Sequence, residues 1–286
     1  MEIFKKKQDL KAYLLKCKHK RNTVGFVPTM GALHQGHISL VRKAKKKNAI
    51  VVVSIFVNPT QFDNPEDLVK YPKTIKNDIN LLNTANCDVV FMPSVQEIYA
   101  ENINSEHFDF DGLENEMEGE FRDGHFDGVG TIVKTFFEII EPDVAYFGKK
   151  DFQQFQIVKK MAQKLQLPVK VKGCDIFREK DGLAMSSRNA RLTKDQRKAA
   201  PFIYKTLKEV NKKVTKNNVI GTINWVKKQF KKHPFLELEY FTIADETTLK
   251  TINKIELNKK YRAFIAVFAG EIRLIDNLRL ELSEKD

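Results

Sequence analysis

The segment that most constrains this chain is Ile50 to Val57, IVVVSIFV, whose length and bulk are those of a parallel strand covered on both faces. The residues before it fit such a strand. Thr23 to Val27 (TVGFV) is a β-branched and aromatic run closed by Pro28, and reads as a buried strand. The loop PTMGALHQGH follows, then ISLVRKAKKKN, whose apolar positions Ile38, Leu40, Val41 and Ala44 favour a helix. Strand, glycine loop, helix and strand make a βαβ unit.

The alternation continues. Helices are expected around Thr74 to Asn86, Val129 to Ile140 and Asp151 to Leu165, and strands at Asp88 to Met92, Val144 to Phe147 and Val169 to Lys172. A short amphipathic helix is expected at Leu10 to Leu15, and Gly112 to Gly130, rich in glycine and acids, reads as loop or hairpin. Such alternation predicts an α/β fold, a Rossmann-like doubly wound parallel sheet with helices on both faces. Near Cys174 to Phe177 the pattern changes to helices at Lys194 to Lys213 and Ile220 to Lys231, then strands at Leu236 to Ile243, Tyr261 to Phe268 and Glu271 to Asp276. A smaller C-terminal α+β domain is expected there, giving domains of 1–176 and 177–286 joined by a short hinge, with the active site in the cleft between them.

Composition narrows the function classes. Apolar residues make up 42% and charged ones 30% of 286 residues, which excludes the collagen-like, low-complexity and mostly disordered classes. No apolar run approaches the roughly 20 residues of a membrane-spanning helix. Lysines run throughout the N-terminus with no apolar stretch and cleavage site behind them, so a cytoplasmic chain is expected. Cys17, Cys87 and Cys174 are far apart and odd in number, which suits reduced thiols better than disulfides or zinc ligands. The net charge of +12 raises nucleic-acid binding, but only 10 of 49 basic residues are arginines and the lysines scatter over the whole chain. Base readout and phosphate forks favour arginine. A small anionic substrate fits the same charge, and neither a nucleic-acid nor a membrane partner is expected.

The first candidates for chemistry are His34 and His37 in His-Gln-Gly-His, after the first strand and opening the next helix. Free N–H groups and the helix dipole favour a phosphate at such a helix start, and Gly31 and Gly36 let backbone approach a ligand closely. Three readings of an isolated HxxH stand: capping or core-edge histidines, donors or cations at a phosphate, and metal ligands.

Longer strings add a resemblance. Pro28 to His37 (PTMGALHQGH), Ser54 to Phe62 (SIFVNPTQF), Tyr71 to Thr74 (YPKT), Gly124 to Val129 (GHFDGV), Phe147 to Gln154 (FGKKDFQQ), Asp181 to Asn189 (DGLAMSSRN) and Leu274 to Asn277 (LIDN) resemble, in order, the motifs of the pantothenate synthetase (pantoate–β-alanine ligase) family. That family lies within the HxGH nucleotidyltransferase superfamily, and the likeness runs nearly end to end. It implies a two-step ligation: the carboxylate of (R)-pantoate attacks the α-phosphate of ATP and expels pyrophosphate, and β-alanine then attacks the pantoyl adenylate, releasing AMP and pantothenate. It also implies Mg²⁺ with the ATP, a cytoplasmic homodimer, and a lid role for the second domain.

Residue roles follow from the matched motifs. His34 and His37 would contact the ATP phosphates, with His37 the proposed proton donor to pyrophosphate. Gly148, Lys149, Lys150 and Asp151 match an ATP-binding G-x-K-D motif in which Lys150 neutralises phosphate charge and Asp151 holds the ribose; Lys149 also reads as a solvated surface lysine. Met185, Ser186, Ser187 and Arg188 resemble a mobile pyrophosphate-gripping loop, and the backbone of Phe177 would read adenine. Gln61 and Gln154 match two pantoate glutamines, whose carboxamides both donate and accept. Met30, counted with the ATP contacts, and Phe62 would line the apolar side of pantoate. Asp78 matches a carboxylate near the metal. Lys73 and Asp123 depart from the family pattern, which usually has an arginine and a proline there, and Asn77 stands where some relatives carry another acid. Two other readings are weaker: a synthetase-like enzyme acting on nucleic acid, for which no aromatic-interleaved basic stripe is present, and a basic binding module without chemistry.

Overall fold

The computed structural model describes residues 1–62, 65–69, 71–256 and 258–281; residues 257 and 282–286 of the expected second domain lie outside them. The chain divides into two compact units, one of Met1–Lys149 with Gln153–Asp175, the other of Lys150–Phe152 with the chain from Ile176. The division passes through the GKKD motif.

The first unit holds a parallel sheet of β1 (Glu2–Phe4), β2 (Val24–Thr29), β3 (Ile50–Ile55), β4 (Val89–Phe91), β5 (Val144–Gly148) and β6 (Lys170–Cys174) in the order β1-β4-β3-β2-β5-β6. The expected doubly wound sheet is therefore present. The strand order reverses at β2, which has β3 on one side and β5 on the other. In open α/β sheets ligands bind beyond the carboxyl ends of strands at such a switch point.

β2 runs on through Pro28, where the sequence predicts its end. The ladder shows why proline is tolerated. Ile50 donates its N–H to Thr23 O and Phe56 to Thr29 O, so odd residues of β2 bond β3, whereas Asp143 donates to Val24 O, so even residues face β5. Pairing of β2 with β5 stops at Phe26, so Pro28 forfeits no ladder bond.

The helix Gln35–Lys45 buries Ile38, Leu40, Val41 and Ala44 against Val27, Val51 and Val53 of the sheet. Withdrawing Ile38, Leu40 and Val41 from water contributes roughly 5–9 kcal/mol before chain entropy is subtracted. The helix Lys7–His19 is longer than expected, and His125–Ile140 begins four residues earlier than expected. The glycine-rich 112–130 region is not a hairpin: it contains a 3₁₀ turn at Leu113–Asn115, a short helix Glu118–Phe121 and the start of His125–Ile140. The N-terminal strand β1, not expected from sequence, adds to β4.

The second unit holds the antiparallel sheet β7 (Glu237–Asp245), β8 (Tyr261–Ala269) and β9 (Ile272–Arg279), covered by the helices Phe202–Lys213 and Val219–Lys231. The single helix expected over Lys194 to Lys213 is two, Lys194–Ala199 and Phe202–Lys213, separated at Pro201. Proline has no N–H for the preceding turn, and its ring crowds the carbonyl four residues back. Cys17, Cys87 and Cys174 are all free thiols. Among the described residues no helix is long and apolar enough to cross a membrane.

Candidate active site

The loop leaving β2 is built around one buried carboxylate. Asp78, 1% exposed on the helix Ile75–Thr84, accepts the N–H of Ala32 at 3.0 Å and of Leu33 at 2.8 Å, and the Thr74 hydroxyl at 2.9 Å. Thr29 fixes the start of the same loop by donating its hydroxyl to Ser54 O at 2.6 Å. Gly31 and Ala32 have φ of +83° and +48°. At Gly31 a side chain would also meet Asp78 Oδ2 and Ile55 Cγ2 at 3.2 Å, so only glycine fits without strain. Asp78, expected beside a metal, is instead committed to this loop: both oxygens accept protein donors and almost none of its surface is open.

The loop delivers the two histidines as a mutual cap. His34 Nδ1 accepts from Gly36 N–H at 3.1 Å, and His37 Nδ1 accepts from His34 N–H at 3.3 Å, with ring centres 4.1 Å apart. An Nδ1 that accepts carries no proton, so each neutral ring holds its proton on Nε2 and is a donor there. The capping and the phosphate readings are thereby the same geometry: a cap on Nδ1 leaves Nε2–H as the donor.

Gln61 ends the 3₁₀ turn Pro59–Gln61 after β3, and its Nε2 lies 2.8 Å from Met30 Sδ, which brings two of the expected site residues together. The backbone there is clamped from the His125–Ile140 helix. His125 Nδ1 contacts Gln61 O at 2.7 Å and Arg122 donates to it at 3.2 Å. At Gly128 a Cβ would stand 2.3 Å from Thr60 O, so the helix passes this turn at a distance only glycine permits.

Asn58, which sequence reasoning passed over inside SIFVNPTQF, is the hub of that turn. It is 1% exposed, donates to Gly128 O at 3.0 Å and Gln61 Oε1 at 3.3 Å, and accepts from Tyr99 OH at 2.6 Å. Burial pushes the Tyr99 phenol above its ordinary range, which keeps it a donor. Gln154 is half-buried on the helix Phe152–Lys164, whereas its neighbour Gln153 is 4% exposed and spends its amide on Leu113 O, Glu116 O and Glu118 N–H. Gly148 ends β5, and Lys149 pairs with Asp175 at 2.9 Å.

The second unit holds the remaining candidates. Lys150 lies 3.4 Å from Asp151, and its own carbonyl accepts from Asn277 Nδ2 at 2.8 Å. Phe177, 41% exposed, and Met185 close a hairpin in which Met185 N–H donates to Phe177 O at 3.0 Å, with Arg178 bridged to Ala184 and Gly182 at the turn. Ser186 caps the 3₁₀ turn Ser187–Arg191 by accepting Arg188 N–H at 3.3 Å. Met185 thus ends the hairpin, Ser186 caps the turn, and Ser187 and Arg188 begin it, all four half-buried.

A doubly wound parallel sheet whose switch-point strand opens into a glycine loop and a helix start defines the Rossmann-like α/β class, in which ligands bind at that strand end. A pantoate-beta-alanine ligase family model matches residues 2–279. The chain is 54% identical over 281 residues to the pantothenate synthetase of Christiangramia forsetii, covering 98% of this chain and 99% of that one. It is 52% identical to that of Flavobacterium psychrophilum, covering 98% and 100%. The crystal structure of pantothenate synthetase from Thermus thermophilus superimposes with a TM-score of 0.87 at 37% identity, covering 97% of this chain and 99% of that one. A pantoate-beta-alanine ligase from Francisella tularensis, complexed with beta-gamma ATP and beta-alanine, superimposes with a TM-score of 0.79 at 35% identity, covering 98% and 97%. The chain belongs to the pantoate-beta-alanine ligase family.

Proposed function

We propose that this protein joins pantoate to β-alanine through a pantoyl adenylate, with ATP as the activating substrate. The observation that carries the reading is the loop of Thr29 to His37, which sets two Nε2–H donors at the start of a helix beyond the carboxyl end of the switch-point strand. The Francisella relative, complexed with beta-gamma ATP and beta-alanine, supports the same ligand classes.

In the first step the pantoate carboxylate oxygen attacks the α-phosphorus and the bond to the bridging oxygen of pyrophosphate breaks. In the second, the β-alanine amine attacks the acyl carbon, loses a proton and displaces AMP. Neither step needs a protein nucleophile; positioning and stabilisation of phosphate charge suffice. His34 and His37 donate Nε2–H to phosphate oxygens. A ring whose Nδ1 already accepts a backbone N–H is poised to donate a hydrogen bond, not to surrender a proton, so His37 stabilises the departing pyrophosphate without protonating it. Lys150 and Arg188 neutralise phosphate charge, Asp151 takes the ribose, and Gly148, Ser186, Ser187 and the backbone of Phe177 complete the nucleotide contacts. Gln61 and Gln154 bind the pantoate hydroxyls, with Met30 beside Gln61 on the apolar side.

Mg²⁺ accompanies ATP in this reading, held by phosphates and water. The chain itself does not fit a protein-held ion: Asp78 is consumed by the loop, and among the described residues no cluster of three or more His, Cys, Asp or Glu is placed to hold a metal. No step is routed through it. A cytoplasmic homodimer belongs to the same proposal, checked by sedimentation of the purified chain.

The test of the histidine role is His37→Ala. Its kcat should fall by roughly 10²-fold, the scale of one preorganised donor. Retention of more than about a third of the wild-type rate would remove His37 from the reaction, since a lost donor on this scale leaves far less.

A further inference from the structure

The LIDN segment, Leu274 to Asn277, has been given no part in the reaction. It lies on β9 and places two buried polar side chains next to each other, Asp276 at 4% and Asn277 at 2% exposure. Buried polar groups destabilise unless bonded, and both of these are bonded outward to segments that the proposed function puts at the nucleotide.

Asn277 works as a two-ended bracket. Its Nδ2 donates to the Lys150 carbonyl at 2.8 Å, and its Oδ1 accepts from Arg262 Nη1 at 2.6 Å. Arg262, 6% exposed, holds Glu246 Oε1 through Nε and Nη2 at 3.0 and 2.7 Å, and its guanidinium lies 4.2 Å from the Phe152 ring centre. The backbone and the ring of 150–152 are therefore gripped by neighbouring groups.

Asp276 grips the hairpin. Its two oxygens take the Arg178 fork at 2.6 and 2.9 Å, and Oδ1 also accepts the Asn277 N–H at 2.7 Å. Arg178 further donates to Gly182 O at 3.1 Å and stacks 3.6 Å from the centre of the Tyr204 ring. Burial drives the Asp276 carboxyl above the usual carboxylate range, against the pull of Arg178. Stability does not explain such a set, because apolar residues of equal volume often do as well or better than buried ion pairs. Fixing a backbone carbonyl and a hairpin at chosen places does.

We propose that Asp276 and Asn277 are positioning residues that hold Lys150 and the hairpin leading to Met185–Arg188 in a fixed arrangement within the second unit, and so set the grip on the nucleotide phosphates. The inference rests on the ligase reading for the identity of the nucleotide. Asp276 acts through Arg178, and Asn277 through the Lys150 backbone.

Asn277→Asp separates alignment from packing. It keeps the volume and the acceptor for Arg262 but opposes a carboxylate oxygen to the Lys150 carbonyl. ATP affinity by calorimetry, and kcat/KM for ATP in pantoate-dependent pyrophosphate exchange, should each fall about 10-fold, the scale of one hydrogen bond, while KM for pantoate moves less than about twofold. In a Lys150→Ala background the same change should have less than about a twofold further effect, because both act through one group. A folded Asn277→Asp enzyme with wild-type ATP affinity, or a full further loss in the Lys150→Ala background, overturns the inference. Arg178→Lys, which keeps charge but loses fork and stacking, is the second variant: it should raise KM for ATP with pantoate KM unchanged, and an unchanged KM for ATP counts against the proposal. Exchange absent from the wild-type enzyme would refute the ligase reading, and calorimetric ATP affinity would still decide the positioning.

Discussion

Replacing Asp78 separates the loop clamp from a metal site. The carboxylate satisfies three donors, Ala32 N–H, Leu33 N–H and Thr74 Oγ1, in a place 1% open to solvent. A buried donor left without an acceptor costs about 1–3 kcal/mol, so Asp78→Ala, after partial relaxation and water entry, should destabilise by about 3–5 kcal/mol. Asp78→Asn keeps the shape and one acceptor but turns an NH₂ toward a donor, which puts its loss near 2 kcal/mol. The Ala32 backbone, at φ +48°, is among the first to relax, because a left-handed alanine lies roughly 1–2 kcal/mol above its right-handed form. Relaxation there moves the His34 cap. Urea denaturation gives the stability of each variant, and ATP-dependent exchange titrated with Mg²⁺ gives the catalytic consequence. A clamp predicts for Asp78→Asn a lower unfolding midpoint and an exchange rate reduced at least about 10-fold at every Mg²⁺ concentration, the loop's histidines being worth at least that. Wild-type stability with activity restored by excess Mg²⁺ would refute the clamp and return Asp78 to the metal.

Gln61→Ala should raise KM for pantoate more than KM for ATP in steady-state assays, because the side chain sits beside Met30; equal rises would remove it from the pantoate site. Gly128→Ala should lower stability by about 1–3 kcal/mol in thermal unfolding and weaken pantoate binding, since the new methyl would press on the Thr60 carbonyl; a silent change would contradict the close approach. Cys87, whose thiol burial pushes up to about 12, should resist alkylation at pH 8 in the native enzyme, as should Cys174, leaving half-exposed Cys17 as the one reactive thiol. The Cys87 shift favours the protonated fold, so its stabilisation is complete below the ordinary thiol value of 9.0 and is lost as pH rises from there toward 12. Rapid modification of all three thiols without unfolding would contradict that burial.

Much of the fold was legible because its signals are local. IVVVSIFV, TVGFV and the helix between them each carry their own periodicity, and they became β3, β2 and Gln35–Lys45. What escaped has nonlocal causes. β1 is three residues among lysines, and only its pairing with β4 makes it a strand. The break at Pro201 was written in the chain, but the apolar spacing on either side continues across it. In the site, His34 and His37 cap each other and Gln61 meets Met30, contacts between residues of the motifs, whereas Asp78, which the resemblance puts near a metal, is tied to a loop 45 residues away. Residues 150–152 belong with the second unit through Asn277 and Arg262, partners more than a hundred residues distant that no window of sequence reveals.

The proposed reaction turns on reversible formation of an acyl adenylate from pantoate. Exchange of labelled pyrophosphate into ATP, with Mg²⁺ and pantoate present and β-alanine absent, measures that step alone. Exchange should require pantoate and fall roughly 10²-fold in His37→Ala. Exchange that proceeds equally without pantoate, or none at all from an enzyme that binds ATP, would contradict the proposed reaction.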